Sequence, residues 1–267
     1  MKKIAFIGSG NMASAISGGI VSSGLVEPSC IYLYDKNTNQ YQKFDNNCVH
    51  TESISSAVDS ASYIFLSVKP QNIKEVLDEI KNLSNLSEKV FISICAGITI
   101  SSIENVLGKV KIIRVMPNTP LLIGHGVSAL CRNEVVTNED FEVVNQFFSS
   151  SGYTITVNED DINYITAISG SAPAYVYLFI KLLCDGAKKL GFNNEKTTEI
   201  ICNVFEGSAK MVLSSDKSVE ELIAMVKSPN GTTEKALNVF ENSDIDSIIY
   251  NALDACAKRA DELAKLN

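Results

Sequence analysis

The stretch Lys3-Ile4-Ala5-Phe6-Ile7-Gly8-Ser9-Gly10-Asn11-Met12-Ala13 carries the strongest structural signal in this chain. A short apolar run leads into a glycine turn and then into a helical pattern. Gly8 permits a tight turn, Gly10 permits a ligand to approach the backbone, and Ala13 lets the helix pack on the strand. We predict that this turn binds a dinucleotide, with its pyrophosphate on the free N–H groups of the helix. The alternative is a glycine turn in an ordinary α/β protein. The predicted cofactor-binding residues here are Gly8, Ser9, Gly10, Asn11 and Met12.

The rest of the N-terminal half alternates between apolar runs and helical patterns. Apolar runs without strict alternation indicate a parallel sheet covered on both faces, and their order predicts a right-handed doubly wound α/β sheet of Rossmann type. The predicted strands are 3–7, 30–34, 63–68, 90–94, 111–115, 126–132 and 153–157.

After about residue 160 the strand signals disappear. The remaining pattern is helical and includes a long, nearly all-apolar run over 172–190. A helix that is apolar on most faces is buried in a bundle or at an interface. We therefore predict a dinucleotide-binding domain over residues 1–160. It is followed by an all-α substrate-binding and dimerisation domain over 161–267.

Composition restricts the possible functions. The chain has 267 residues and a formal net charge of −8, which argues against a nucleic-acid partner. Two histidines without metal-ligand spacing predict no metal site. The seven cysteines are scattered and the N-terminus enters a strand directly, which predicts a cytoplasmic protein. No apolar run reaches roughly 18 residues, so we predict no membrane span.

Ligands of doubly wound sheets bind beyond the carboxyl ends of the strands, so the residues after each strand are the next candidates. Asp35 could accept hydrogen bonds from the adenosine ribose and repel a 2′-phosphate, which favours NADH, whereas Lys36 could attract that phosphate, which favours NADPH. Asp35 could equally cap the following helix. The cofactor is thus predicted as NADH or NADPH.

Two later strands end in further cofactor-binding candidates. Lys69 could lie along the phosphates or the nicotinamide ribose, or be a solvated lysine, and the small residues at 95–97 leave room for a flat ring. The loop from Met116 to Pro120 contains two prolines and is expected to brace the nicotinamide or the loop itself. The candidates at these two strand ends are Val68, Lys69, Pro70, Cys95, Ala96 and Gly97.

In the helical half, the segment Ser228-Pro229-Asn230-Gly231-Thr232-Thr233 feeds a helix. Hydroxyl side chains beside free N–H groups suit a small carboxylate. An ordinary N-cap is the alternative. The few acid–base candidates in the chain fit a hydride transfer, in which the cofactor carries the difficult step.

Taken together, the motifs resemble those of the Δ1-pyrroline-5-carboxylate reductase family over essentially the whole chain. The motifs are Gly8–Ala13, Val68-Lys69-Pro70, Met116-Pro117-Asn118-Thr119-Pro120, Ser169-Gly170-Ser171-Ala172-Pro173-Ala174-Tyr175 and Ser228–Thr233.

This resemblance implies the last step of proline synthesis, in which NAD(P)H reduces a small cyclic imine acid to L-proline. The carboxylate of the substrate would lie on N–H groups around Gly231, Thr232 and Thr233, with Ser228 in the same turn. The Thr233 hydroxyl would face the ring nitrogen as the catalytic group. In this family helical domains interlock into a homodimer, and dimers often assemble into a decamer.

Three positions depart from the family pattern. Asn230 replaces a usual glycine, Asp35 with Lys36 is not a clear NADPH pattern, and Asp216 stands where some members carry a glutamate.

Two other functions remain as alternatives. A reductase of the β-hydroxyacid dehydrogenase type would place a catalytic lysine near the start of the long helix, where this chain has none before Lys181. A dinucleotide sensor without enzymatic activity would keep the glycine turn and lose the substrate turn.

Overall fold

The computed structural model describes residues 2–266, except for the side chains of residues 265 and 266. Its N-terminal part is built on one eight-stranded sheet with the order β3-β2-β1-β4-β5-β6-β7-β8. All neighbouring strands are parallel except β6 and β7. The strands are β1 (Ile4–Ile7), β2 (Ile31–Tyr34), β3 (Val49–His50), β4 (Tyr63–Leu66), β5 (Val90–Ser93), β6 (Lys111–Pro117), β7 (Gly126–Arg132) and β8 (Gly152–Thr156).

The helices that cover the sheet lie on both of its faces. They are α1 (Asn11–Ser22), α2 (Ile54–Ser60), α3 (Ile73–Ile80), α4 (Ile100–Leu107) and α5 (Asn138–Ser149). The apolar residues of α1 and α5 share one core with Phe6 and Phe65 of the sheet. Those of α2, α3 and α4 share a second core with Ala5 and Ile64. Adjacent residues of one strand therefore enter opposite cores, which explains the uninterrupted apolar runs in the sequence.

The remainder of the described chain is helical. It comprises α6 (Ile162–Ile165), α7 (Ala172–Lys189), α8 (Thr197–Ser214), α9 (Val219–Val226), α10 (Thr232–Glu241) and α11 (Ile245–Leu266), with a π-helical turn at Thr166–Gly170. The chain forms two compact units. One extends to Ser171 and includes the chain from Ala255 onwards, and the other is Ala172–Asp254.

The predicted Rossmann-type sheet followed by an all-α region is confirmed. The predicted strands match β1, β2 and β4–β8 to within two residues at each end. The two-residue strand β3 was missed because it is too short for a periodic signal. The segment after β2 contains a 3₁₀-helix, Thr38–Lys43. The β6–β7 connection is too short for a crossover helix, which explains their antiparallel pairing.

The expected absence of a membrane span stays a prediction. By length and composition alone, one helical stretch of the described residues, Glu159–Lys189, is apolar enough to cross a membrane. Counting uninterrupted apolar residues missed it, because isolated polar residues break the run.

A partly buried ion pair between Arg114 and Glu159 holds the end of the sheet region together. The Arg114 guanidinium, with a side chain 5% exposed, donates to Oε1 of Glu159 at 2.9 Å. The same oxygen accepts the backbone N–H of Ile100 at 2.8 Å, at the start of α4. Glu159 therefore joins three segments that are distant in sequence.

We expect Glu159→Gln to lower the free energy of unfolding by about 1–3 kcal/mol, because it leaves a buried guanidinium without its counter-charge. The matched control is Asp160→Asn, which removes the same charge from an exposed neighbour and should change stability by less than about 0.5 kcal/mol. Urea unfolding measures both, and equal stability of the two variants would contradict the role of the pair.

Candidate active site

The candidate cofactor site is a cavity of about 670 Å³ at the carboxyl ends of β1, β2, β4, β5 and β6. Its size is in the range of ligand pockets. Of the predicted cofactor-binding residues, the lining includes Gly8, Gly10, Asn11, Met12, Asp35, Lys36, Val68, Lys69, Pro70, Cys95 and Ala96. It does not include Ser9 or Gly97.

Gly8 is held tightly between two neighbouring strand ends. Its N–H donates to the Tyr34 carbonyl at 2.8 Å, and its carbonyl accepts the Ser67 hydroxyl at 2.6 Å. Its φ of +98° favours glycine, and an added Cβ would lie 2.7 Å from the Ser67 carbonyl oxygen. No other residue type fits this turn without moving β4.

Gly10 has a different environment, because an added Cβ would meet nothing within 4 Å. It is the N-cap of α1, which has no side-chain cap and no acidic residue in its first turn. Helix geometry leaves the N–H groups of that turn without backbone partners. The adjacent Ser9 hydroxyl is buried and has no hydrogen-bond partner among the described residues. These features fit an anionic ligand such as a pyrophosphate.

Asp35 organises the rim of the cavity through both carboxylate oxygens. Oδ2 accepts the Ser9 N–H at 2.7 Å, and Oδ1 accepts the Asn37 N–H at 2.8 Å. The alternative of a helix cap was wrong, because the side chain of Asn37 caps the 3₁₀-helix Thr38–Lys43. Each oxygen keeps a lone pair for a ribose hydroxyl, so that role stays a prediction.

The lysines of the cavity differ in their partners. Lys36 forms an exposed ion pair with Glu75 at 2.7 Å, and this hydrogen bond raises the pKa of Lys36. Lys69 is exposed beside Pro70. Because Lys36 is already paired, attraction of a 2′-phosphate would require it to leave Glu75.

The segment at 95–97 contributes small groups rather than a nucleophile. The Cys95 thiol donates to the carbonyls of Leu66 and Val68, both at 3.3 Å. Burial raises its pKa to about 12, so it stays a protonated thiol at neutral pH. Gly97 adopts φ +75° outside the lining and packs against Leu263.

The proline-rich loop is braced by Asn118. Its amide oxygen accepts the Val127 N–H at 2.8 Å, and its amide nitrogen lies 3.3 Å from the Ser169 carbonyl. Met116 and Pro117 line the cavity. Of the two roles predicted for this loop, the structure shows bracing of the loop itself.

The predicted substrate residues Ser228, Gly231, Thr232 and Thr233 lie in the second compact unit. Gly231 is the N-cap of α10 and has no side-chain cap. Its N–H donates to the Ser228 carbonyl at 3.0 Å, which leaves the N–H groups of Thr232 and Thr233 for a ligand. An added Cβ on Gly231 would clash with the Ser228 side chain.

Two further features support the shape of this turn. Asn230 adopts φ +57°, a left-handed conformation that asparagine tolerates better than most residues. Glu234 accepts the Asn230 N–H at 2.8 Å, so its carboxylate is held by the turn. Asp216 is exposed in the loop before α9.

The sequence analysis missed several cavity residues, and Gln40, Lys43 and Glu75 are three examples. All three lie on helical segments beyond the strand ends, where no local motif marks them. Among residues 2–266, no group of three or more acidic, cysteine or histidine side chains could hold a metal ion.

Family models match both parts of the chain. Residues 159–263 match the family model described as pyrroline-5-carboxylate reductase dimerisation. Residues 3–97 match the family model described as NADP oxidoreductase coenzyme F420-dependent.

Relatives and solved structures match over the full length. The pyrroline-5-carboxylate reductase of Escherichia coli is 36% identical over 99% of both chains, and that of Corynebacterium melassecola is 35% identical over 99% of this chain and 100% of the relative. The crystal structure of Plasmodium falciparum pyrroline carboxylate reductase with NADP bound is 32% identical, with a TM-score of 0.90 over 98% of both chains. The Coxiella burnetii pyrroline-5-carboxylate reductase is 34% identical, with a TM-score of 0.91 over 98% of both chains. With this fold, these two helix-terminal turns and similarity along its entire length, the chain belongs to the pyrroline-5-carboxylate reductase family.

Proposed function

We propose that this protein reduces 1-pyrroline-5-carboxylate to L-proline with NADH or NADPH, the last step of proline biosynthesis. The observation that carries the proposal is full-length similarity to pyrroline-5-carboxylate reductases at 36% identity. The glycine turn at the cavity and the Ser228–Thr233 turn at α10 supply matching sites for a dinucleotide and a small carboxylate.

The cofactor would be held mainly by the first unit. The N–H groups of the first turn of α1 and the Ser9 hydroxyl would bind its pyrophosphate, with Asp35 at the adenosine ribose. Val68, Lys69, Pro70 and the segment Cys95–Gly97 would lie along the nicotinamide half. The bound cofactor supplies the hydride.

The substrate would be held by the turn at α10. The N–H groups of Thr232 and Thr233 would bind its carboxylate, and Gly231 would allow the close approach of the Ser228 segment. The Thr233 hydroxyl would hydrogen bond to the ring nitrogen. Because a protonated imine already accepts hydride readily, orientation is the main contribution required of the protein.

The second unit also supports a homodimer formed through the helical domain. None of the described residues of α8, α9 or α10 is buried, and exposed apolar side chains recur along α7, including Val176, Leu178 and Leu182. An apolar surface of this kind marks an interaction site. We extend the proposal to a decamer of such dimers on the family resemblance alone. We also propose that the dinucleotide-binding domain covers residues 1–160 and that the substrate-binding and dimerisation domain covers residues 161–267.

We propose a cytoplasmic location. No disulfide joins any of the seven cysteines, all of which lie in the described part of the chain, and Cys30, Cys48, Cys95 and Cys131 are buried, as expected in a reducing compartment. A partner helix over the apolar face would explain the stretch Glu159–Lys189 without a membrane.

A β-hydroxyacid dehydrogenase activity is the second candidate, and the structure does not favour it. Lys181, the first lysine of α7, is exposed and paired with Asp185 at 2.6 Å. A base that removes a proton from an alcohol needs an unpaired neutral form near the site.

The direct test follows oxidation of NADH and of NADPH at 340 nm with 1-pyrroline-5-carboxylate as acceptor. We expect turnover with at least one cofactor and L-proline as the product. Nucleotide binding without oxidation of either cofactor would contradict the proposed reaction.

The two glycines of the turn should respond differently to alanine. Gly10→Ala should leave the melting temperature of the apoprotein within 2 °C of wild type, since the added methyl group meets open space, yet weaken NAD⁺ binding at least tenfold, about 1.4 kcal/mol. Gly8→Ala should lower the melting temperature by roughly 4 °C or more through its clash with Ser67. Calorimetry gives both quantities, and a destabilised Gly10→Ala would contradict the assignment.

Thr233→Ala should lower kcat/KM for 1-pyrroline-5-carboxylate at least tenfold, about 1.4 kcal/mol of transition-state stabilisation, without changing the Kd for the cofactor. Thr233→Ser, which keeps the hydroxyl, is the matched control and should retain most activity. Wild-type kinetics in Thr233→Ala would eliminate the proposed role.

A further inference from the structure

Lys43 is the cavity residue that the motifs leave unexplained. It is the last residue of the 3₁₀-helix Thr38–Lys43 and lines the same cavity as Gly10 and Asn11. Its ammonium group donates to Oδ1 of Asn11 at 2.6 Å and to Oε1 of Gln40 at 2.6 Å. The charge is therefore placed beside the first residue of α1.

The position of Lys43 is fixed by more than its side chain. Its carbonyl oxygen accepts the Ser14 hydroxyl of α1 at 2.7 Å. The next residue, Phe44, is buried and packs against Phe6 with ring centroids 6.1 Å apart. The backbone of Lys43 is thus attached both to α1 and to the core.

The electrostatics of this placement call for an anion. The N-terminus of a helix carries partial positive charge, and a cation there is unfavourable unless a negative group lies nearby. The first turn of α1 holds no acidic residue. Both partners of the ammonium are neutral amide oxygens, and no ion pair among the described residues includes Lys43. An ammonium group has three donors, so one is left for a further acceptor.

We propose that the ammonium group of Lys43 binds the pyrophosphate of the dinucleotide, although Lys43 lies outside the glycine turn. This inference rests on the proposed function. The contact of Lys43 with Asn11 places the charge at the first residue of the helix whose N–H groups would bind that anion. The Ser9 hydroxyl in the same turn is buried and has no hydrogen-bond partner among the described residues. Lys36, another lysine of the cavity, already forms an ion pair with Glu75.

Isothermal titration of Lys43→Gln with ADP-ribose, NAD⁺, NADP⁺ and adenosine tests this assignment without turnover. We expect about a tenfold loss of affinity for the three pyrophosphate-containing ligands, by a similar factor for each, since a charge-assisted hydrogen bond is lost. Adenosine binding should not change. Lys43→Arg should retain affinity. Lys74→Gln removes the same charge from an exposed residue outside the cavity and should bind like wild type.

The apoprotein provides a second readout. Lys43→Gln should melt at or above the wild-type temperature, because it removes a cation from a helix N-terminus. A lower apo melting temperature with weaker adenosine binding would indicate a structural role and overturn the proposal. Unchanged ADP-ribose binding would overturn it too, as would a loss confined to NADP⁺, which would assign Lys43 to the 2′-phosphate. Failure of the wild-type protein to bind any of the three ligands ADP-ribose, NAD⁺ and NADP⁺ would instead refute the proposed reductase function.

Discussion

The hydrogen bond from the Ser67 hydroxyl to the Gly8 carbonyl is the constraint on which the proposed cofactor site depends. Gly8 donates to the end of β2 and accepts from the end of β4, so the first turn is fixed to both neighbours of β1. That attachment sets the direction in which α1 begins. The free N–H groups of the first turn of α1 point toward its N-terminus. The same contact therefore fixes the location of the proposed anion site.

The two proposed binding turns use the same physical device in separate compact units. Each places a glycine at the N-cap of a helix without a side-chain cap, Gly10 before α1 and Gly231 before α10. Other helices of the protein, such as α2 and α4, satisfy these donors with Ser53 and Thr99. The starts of α1 and α10 therefore share a glycine N-cap without a side-chain cap, and both lie in segments that the family resemblance assigns to ligands.

Charge around the cofactor cavity is arranged in short, specific contacts. Asp35 is engaged by two backbone N–H groups, Lys36 by Glu75, and Lys43 by two neutral amides. These differences matter because an exposed ion pair contributes little stability, whereas a cation at a helix N-terminus is favourable mainly when an anion is bound. We therefore expect the preference between NADH and NADPH to depend on the partners of these residues as well as on their identity.

The sequence by itself determined the local elements and the two binding turns, since strand runs, the glycine turn and the Ser228–Thr233 segment are specified by neighbouring residues. It also determined the family, because those motifs recur in order along the chain. The tertiary structure alone decided the pairing of Lys36 with Glu75, the placement of Lys43 on α1, and the bond from Ser9 to Asp35. These contacts join residues 26 to 39 positions apart in the sequence. The periodicity of the sequence cannot predict them, because they form only where the ends of the strands come together in the fold.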